Sequence, residues 1–425
     1  MDPCRCLSRR DFLRLGGFTV VLSAVNPSFA GPLDPGLERL RSASGTGKTL
    51  IYLFQRFGAD GLNTVVPINP SEYTLYRGYR PVLAVDKNHP QLGAISTDFA
   101  LHPTTNAGLF ALWNRGNLAV LPDVGYPNGS RSHFDSQLYL ENGTPEVRTT
   151  RDGWLNRYLQ AAPASGDPLR ALAFGTALPA SLAGPAPTLA LTDIKSLGVS
   201  TADPARNAKF LDFHAQTYAE PNPGRRYDAE IAAVAQGFIR AVQSIPPVLP
   251  APTVAYPKGT FGSSLSQLAQ LIRSDLFQIE IAEVDIGGWD THTNQQTSVL
   301  TGRFPGLLTQ LSDGIAALVA DLGPARMANI VILTASEFGR SARENGDVGT
   351  DHGSAWASFV IGGGVRGGIY HGAGGWRGLA NLRDNRDLEH SLDFRDVFSE
   401  ILARHLGTLT PDVFPGFTRT PVGFL

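Results

Sequence analysis

The chain has 425 residues and a formal net charge of −2, from 36 basic and 38 acidic side chains. No basic block stands out, which argues against a nucleic-acid binder, and no apolar run is long enough for a membrane-spanning helix. Both cysteines, Cys4 and Cys6, sit near the amino terminus. The rest of the chain can therefore carry no disulfide, thiolate zinc site or cysteine nucleophile.

Residues 1–30 read as an export signal and not as part of the fold. Ser8-Arg9-Arg10-Asp11-Phe12-Leu13 has the twin-arginine form, and an apolar stretch runs on to about Val25. Ser28 and Ala30 then place small residues where signal peptidase cleaves. The expectation is export in the folded state by a bacterium or archaeon, to the periplasm or beyond, with any metal already loaded. Residues 31–47 are rich in Pro, Gly and Ser and read as a linker. The run SASGTGKT over 42–49 approaches a phosphate-binding loop, but Ser42 replaces its first glycine and Lys48 precedes a strand. Nucleotide binding is not expected from it.

Residues 49–57 (TLIYLFQRF) form a continuous apolar-aromatic run, as a central parallel strand does. The run leads into Asp60-Gly61, where a carboxylate can point into the crevice at the strand's carboxyl end, or can stabilise a turn. Residues 117–124 read as a second such strand. Ser130-Arg131-Ser132-His133-Phe134-Asp135 follows, opening a helix over 134–141. A serine at a helix start suits a nucleophile or an anion site, with Arg131 and His133 as further donors. It equally suits a capping arrangement of Ser132 with Asp135. A helix is expected over 154–162. Residues 163–223 are rich in Pro, Ala and Gly and read as an insertion or cap, and a further helix is expected over 229–244.

A helix over 265–276 precedes a strand over 278–285, which runs into Gly287-Gly288-Trp289-Asp290-Thr291-His292. Asp290 and His292 are two apart, so an extended backbone aims both the same way, and a carboxylate with an imidazole suits a transition metal. After a helix over 300–322, the strand at 329–334 ends in Ser336-Glu337-Phe338-Gly339-Arg340. Glu337 is a candidate ligand or orienting acid and Arg340 a candidate anion clamp. Thr350-Asp351-His352-Gly353 follows, and its adjacent acid and imidazole are expected on a turn. A strand over 358–362 leads into GGGVRG, which lacks the helix of a dinucleotide site. His371 is an outside candidate ligand. The last helix is expected over 394–406 with Asp393 as its N-cap. Strands alternating with helices predict a three-layer α/β/α domain over 48–425 with a mostly parallel sheet.

Taken in order, the twin-arginine start, ADGLNTVVP, SRSHFDSQ, GGWDTH, SEFGR, GTDHG and GGGVRGGIY resemble an uncharacterised bacterial family, the domain of unknown function numbered 1501. The resemblance covers nearly the whole mature chain. That family is grouped with the alkaline phosphatase and sulfatase superfamily and is similar to the cofactor-independent, metal-dependent phosphoglycerate mutases. The resemblance implies an alkaline-phosphatase-like fold with Asp60, Asp290, His292, Asp351 and His352 holding one or two divalent metals, whether Zn, Mn, Fe or Ca. It implies Ser130 or Ser132 as nucleophile and Arg131 or Arg340 stabilising the equatorial oxygens. No cysteine or serine stands in the C/S-x-P-x-R setting of a formylglycine sulfatase, and a further C-terminal ligand histidine has no counterpart unless His371 supplies it. The expected activity is metal-dependent hydrolysis of a phosphate or sulfate ester, on a small molecule or a polysaccharide; a transferase on the same metal site would look the same. The alternative is a non-catalytic binding or assembly module at the cell surface that keeps the fold.

Overall fold

The computed structural model describes residues 47–163, 169–194, 204–219 and 249–425, together with Gln236, Ile239 and Val242. The export segment, nearly all of the linker and nearly all of the helix expected over 229–244 lie outside the described residues. In chain order the strands are β1 (Thr49–Gln55), β2 (Val65–Pro67), β3 (Gly93–Ala94), β4 (Phe99–Leu101), β5 (Leu118–Gly125), β6 (Ala171–Phe174), β7 (Leu189–Leu191), β8 (Ile281–Ile286), β9 (Ile330–Ala335), β10 (Arg340–Glu344), β11 (Thr350–His352), β12 (Trp356–Gly362), β13 (Gly368–Ile369) and β14 (Leu392–Asp393). The helices are α1 (Gly61–Thr64), α2 (Pro70–Tyr79), α3 (Leu109–Trp113), α4 (His133–Asn142), α5 (Trp154–Ala161), α6 (Pro204–Thr217), α7 (Thr260–Arg273), α8 (Arg303–Met327) and α9 (Phe394–Glu400).

Every residue of β1 is buried, so its sequence is apolar on both faces without alternation. It lies inside a nine-stranded sheet of order β13-β5-β12-β9-β1-β8-β6-β7, with β14 also paired to β5. The side chains of β1 divide the core. Ile51 and Leu53 join Leu265 and Leu268 of α7 and Leu308, Leu311 and Ile315 of α8. Leu50, Tyr52 and Phe54 join Trp154 and Tyr158 of α5 and Phe398 of α9 on the opposite face. Helices therefore cover both faces of one sheet, as the three-layer α/β reading requires. Each such large apolar side chain contributes about 1.5–3 kcal/mol on burial.

The pairings β1–β8, β1–β9, β6–β8, β6–β7, β5–β13 and β5–β14 are parallel. β12 is antiparallel to both β5 and β9. The cause is the connection. A parallel return needs a crossover of a dozen or more residues, usually a helix, whereas β9 returns into β12 through the β10–β11 hairpin alone. Flanked by β5 and β9, which both run against β12, the sheet has the carboxyl ends of β1, β5, β8 and β9 on one edge. The hairpin projects there.

Two expectations change. Residues 163–223 do not simply cover the sheet, because β6 and β7 extend it by pairing beyond β8. Their apolar runs ALAF and LAL are short but fully buried. Asp351 and His352 lie on the short strand β11, not on a turn. α4 begins one residue earlier than expected, with Ser132 as its N-cap, and Asp393 caps α9 through Arg395 N.

Candidate metal centre

Three loops at the carboxyl edge bring imidazoles together. His133 is the first residue of α4, in the segment after β5. His292 follows β8, and His352 ends β11. Gly288 supports the second loop with a left-handed backbone (φ 99°) that other residues rarely adopt. Gly349 lets the hairpin approach the His292 loop, since a Cβ there would sit 2.0 Å from the His292 carbonyl oxygen.

The Nδ1 atoms all face acceptors. His133 Nδ1 lies 2.8 Å from Glu337 Oε1, His292 Nδ1 lies 3.2 Å from Asp351 Oδ1, and His352 Nδ1 lies 2.7 Å from the Arg131 carbonyl. A carbonyl oxygen only accepts, so His352 carries its proton on Nδ1, and the two carboxylates favour the same tautomer in the other two rings. The Nε2 lone pairs then turn inward. His292 Nε2 and His352 Nε2 are 2.9 Å apart. They lie 3.0 and 3.1 Å from Asp290 Oδ1, and His133 Nε2 lies 3.6 Å from the same oxygen. His133 Nε2 is buried and has no hydrogen-bond partner. Lone pairs that face one another and a carboxylate suit a cation between them.

The surroundings fit that need. Asp290, Asp351 and Glu337 bring three carboxylates, and the guanidinium of Arg340 donates to Asp290 Oδ1 at 2.8 Å. Burial raises the Asp290 pKa, but the Arg340 hydrogen bond and charge, then His292 and His352, bring it below its ordinary value. Burial likewise raises that of Asp351, yet Asn345 and His292 bring it down. Burial pushes His352 below the usual imidazole value, so that ring stays neutral and able to ligate. Phe338 packs against His133 and His352, with ring centroids 4.8 and 4.9 Å away, and shields this side from water. The side chains of Asp290 and His292 are 35% and 40% exposed, which leaves the opposite side open to a ligand. His133, Asp290 and His352 each offer one atom within 4.8 Å of the others, the arrangement of a metal triad, with His292 beside them.

The other candidates are engaged by other partners. Asp60 is buried and its carboxylate is filled: Arg80 Nη1 lies 2.9 and 2.7 Å from its two oxygens, Gln295 Nε2 donates at 2.7 Å, and Asn63 N at 3.3 Å. Arg80, also fully buried, donates further to the carbonyls of Ala342 and Ser341. Gln295 in turn accepts from Thr291 and Thr350, so Asp60 braces both ligand-bearing loops instead of joining the ligand set. Glu337 is buried behind His133 and also accepts from Phe57 N and Gln137 Nε2. Arg340 is committed to Asp290 and to the side chain and carbonyl of Thr350. Arg131 bridges Asp384 and Asp387. Ser130 Oγ accepts from Ser132 N, and Ser132 Oγ caps Asp135 N. His371 pairs with Asp123 at 3.0 Å, away from this centre. The candidate ligand that the sequence reading named only as a further donor is His133. Its signal was its place, directly after a serine N-cap in the segment that follows a buried strand.

Residues 269–412 match the model of the family described as protein of unknown function (DUF1501). The span carries Asp290, His292, Glu337, Arg340, Asp351 and His352, while His133 and Asp60 come from outside it. No curated protein matches the chain significantly. Among solved structures, the PH0037 protein from Pyrococcus horikoshii aligns over 76% of this chain and 87% of its own, at 13% identity and a TM-score of 0.28. A phosphonate monoester hydrolase of Agrobacterium radiobacter aligns over 88% of this chain and 79% of its own, at 11% identity and a TM-score of 0.31.

Proposed function

We propose that this chain is an exported, metal-dependent hydrolase of phosphate or sulfate esters. One observation carries the reading: the Nε2 atoms of three histidines with anchored Nδ1 atoms converge on Asp290 Oδ1. His133, Asp290, His292 and His352 would hold a divalent ion, of which Zn, Mn and Fe suit imidazole best. Such an ion supplies Lewis acidity and a lowered pKa for a coordinated hydroxyl or water. The chain's own residues set the rest. Glu337, Asp351 and the Arg131 carbonyl hold the three rings in register. Arg340 keeps Asp290 ionised, and Phe338 excludes water from one side. Ser132, adjacent to His133 at the start of α4, would be the attacking serine, since the helix dipole favours an alkoxide there. Export would follow from the twin-arginine segment, and among the described residues no helix is long and apolar enough to cross a membrane.

Metal content by mass spectrometry on protein purified without chelator tests this, together with turnover of aryl phosphate and sulfate esters. Stoichiometric metal in the wild type, lost in His133→Ala and His352→Ala, with turnover abolished in Ser132→Ala but not in Ser130→Ala, is the expected result. Absence of metal from the wild type would end the proposal. A second reading is a binding module that keeps the centre without catalysis. It is favoured by the engagement of Arg131 and Arg340 with protein acceptors, which leaves neither free to clamp an oxyanion. Bound metal with no turnover of any ester would select it.

A further inference from the structure

Phe57 stands against the metal centre in a conformation that bulky residues rarely take. It follows β1, and its backbone is left-handed (φ 83°), an outlier for a large side chain. Strain of this kind clusters at functional sites. Packing does not offset it here. The ring is 40% exposed and belongs to none of the apolar cores. Glycine would hold the same turn without strain, so the turn alone does not call for an aromatic ring. What the ring touches is the site. Its centroid lies 5.4 Å from that of the His133 ring, edge to face. It also borders Gly287, where a Cβ would sit 3.8 Å from its Cε2 atom, and the loop that begins there carries Asp290 and His292. Phe57 N donates at 2.8 Å to Glu337 Oε1, the atom that faces His133 Nδ1. A second ring is close in the chain: Phe134, the residue after His133, is 90% exposed.

The place and chemistry of the ring define what it can hold. A group bonded to an oxyanion at the centre comes within reach of a ring this close to His133. A part-exposed phenyl ring attracts another flat apolar ring, and offset or edge-on pairs add about two- to tenfold in affinity beyond the area they bury. Hydroxyl groups would find less there, since Arg56 is bound to Asp285 and Glu141, and Gln137 donates to Glu337. We propose that Phe57 selects the organic part of the substrate, and that the site takes esters with a flat apolar ring bonded close to the reacting phosphoryl or sulfuryl group. This rests on the metal-dependent hydrolase reading above and narrows its substrate class.

Benzylphosphonate and methylphosphonate carry the same charge and the same metal-binding oxygens and differ in the ring. Isothermal titration calorimetry of each into the metal-loaded full chain reads the difference. Benzylphosphonate is expected to bind the wild type about tenfold tighter than methylphosphonate. Phe57→Gly should remove that preference and leave methylphosphonate affinity and metal stoichiometry unchanged, because a φ of 83° suits glycine. Phe57→Tyr should keep the preference. Equal binding of the two probes to the wild type, or a preference that survives Phe57→Gly, would overturn the assignment and leave the hydrolase reading standing. So would a fall in metal affinity in Phe57→Gly with the preference intact, which would reduce Phe57 to a shield for the Glu337–His133 contact. Binding of neither phosphonate would remove both the assignment and the reading on which it rests. The wild-type comparison needs no variant, so it holds even if Phe57→Gly folds poorly.

Discussion

A ligand and a brace differ in what their loss removes. Asp60 and Arg80 form a buried ion pair in which each charge is hydrogen-bonded, and deleting one partner of such a pair costs about 3–5 kcal/mol. Asp60→Ala is therefore expected to lower unfolding free energy by that amount in denaturant titrations while the folded protein keeps its metal stoichiometry. Loss of metal from correctly folded Asp60→Ala would return Asp60 to the ligand set. Glu337 should behave in the opposite way. Its carboxylate accepts from His133, Gln137 and Phe57 N, so Glu337→Gln places an amide among donors and releases the His133 tautomer. Metal affinity is expected to fall about 10–100-fold, as read by chelator competition, and an unchanged affinity would show that Glu337 does not orient the ring. Nothing in the local sequence separates these two acids. Both follow buried strands and precede or contain tight turns. Arg80, at the end of α2, decides the role of Asp60, and a pairing twenty residues away leaves no periodic trace.

At the scale of elements, the β10–β11 hairpin delivers His352 and Asp351 to a loop that belongs to β8. Its fit depends on Gly349, whose absent side chain leaves room for the His292 carbonyl. Gly349→Ala should push the hairpin from that loop at a cost of about 1–3 kcal/mol and weaken metal binding with it. Gly346→Ala, on the same hairpin but with open space around it, should change neither. Equal effects from the two would mean that the close approach is not what couples hairpin to centre. This hairpin is also where sequence reading fell short. β1, β5, β8 and β9 announce themselves as apolar runs because both faces of a central strand are buried. RSARE and TDH are short and polar, and their pairing is set by contacts to other loops. The histidine and aspartate motifs were legible as residue types suited to a metal. Their meeting point was not, because it is assembled from the segments after β5, β8 and β9, which together span more than two hundred residues.

Across the whole molecule, stability should depend on pH through histidines far from the metal centre. His102 is fully buried, with Nδ1 near Thr104 and no partner on Nε2, and burial pushes its pKa down to about 3. His405 Nε2 donates to the Thr49 carbonyl, where β1 begins, and burial, opposed by that contact, pushes its pKa down to about 4. Both folded values lie below the ordinary 6.5, so the native state favours the neutral rings. Their contribution is fully present above pH 6.5 and is lost as the pH falls through 6.5 toward the folded values. Each ring removes about 1.4 kcal/mol per pH unit in that window, so the pair removes roughly 3 kcal/mol by pH 5.5. Asp396 works the other way. Burial pushes its pKa up to about 6, so acidification through that value stabilises the native state, but its half-exposed position reduces the effect. The histidine contribution declines below pH 6.5, and the carboxyls of Glu141, Glu283, Asp285 and Asp123, all raised by burial, oppose it as Asp396 does. His405 meets the start of β1 and His102 directly follows β4, so the two contributions fall at different places in the fold. Denaturant titrations of His102→Asn and wild type, both freed of metal, isolate the term: the variant should lose about half of the histidine contribution to the slope between pH 6.5 and 5. A slope identical in both would show that His102 does not carry the acid sensitivity.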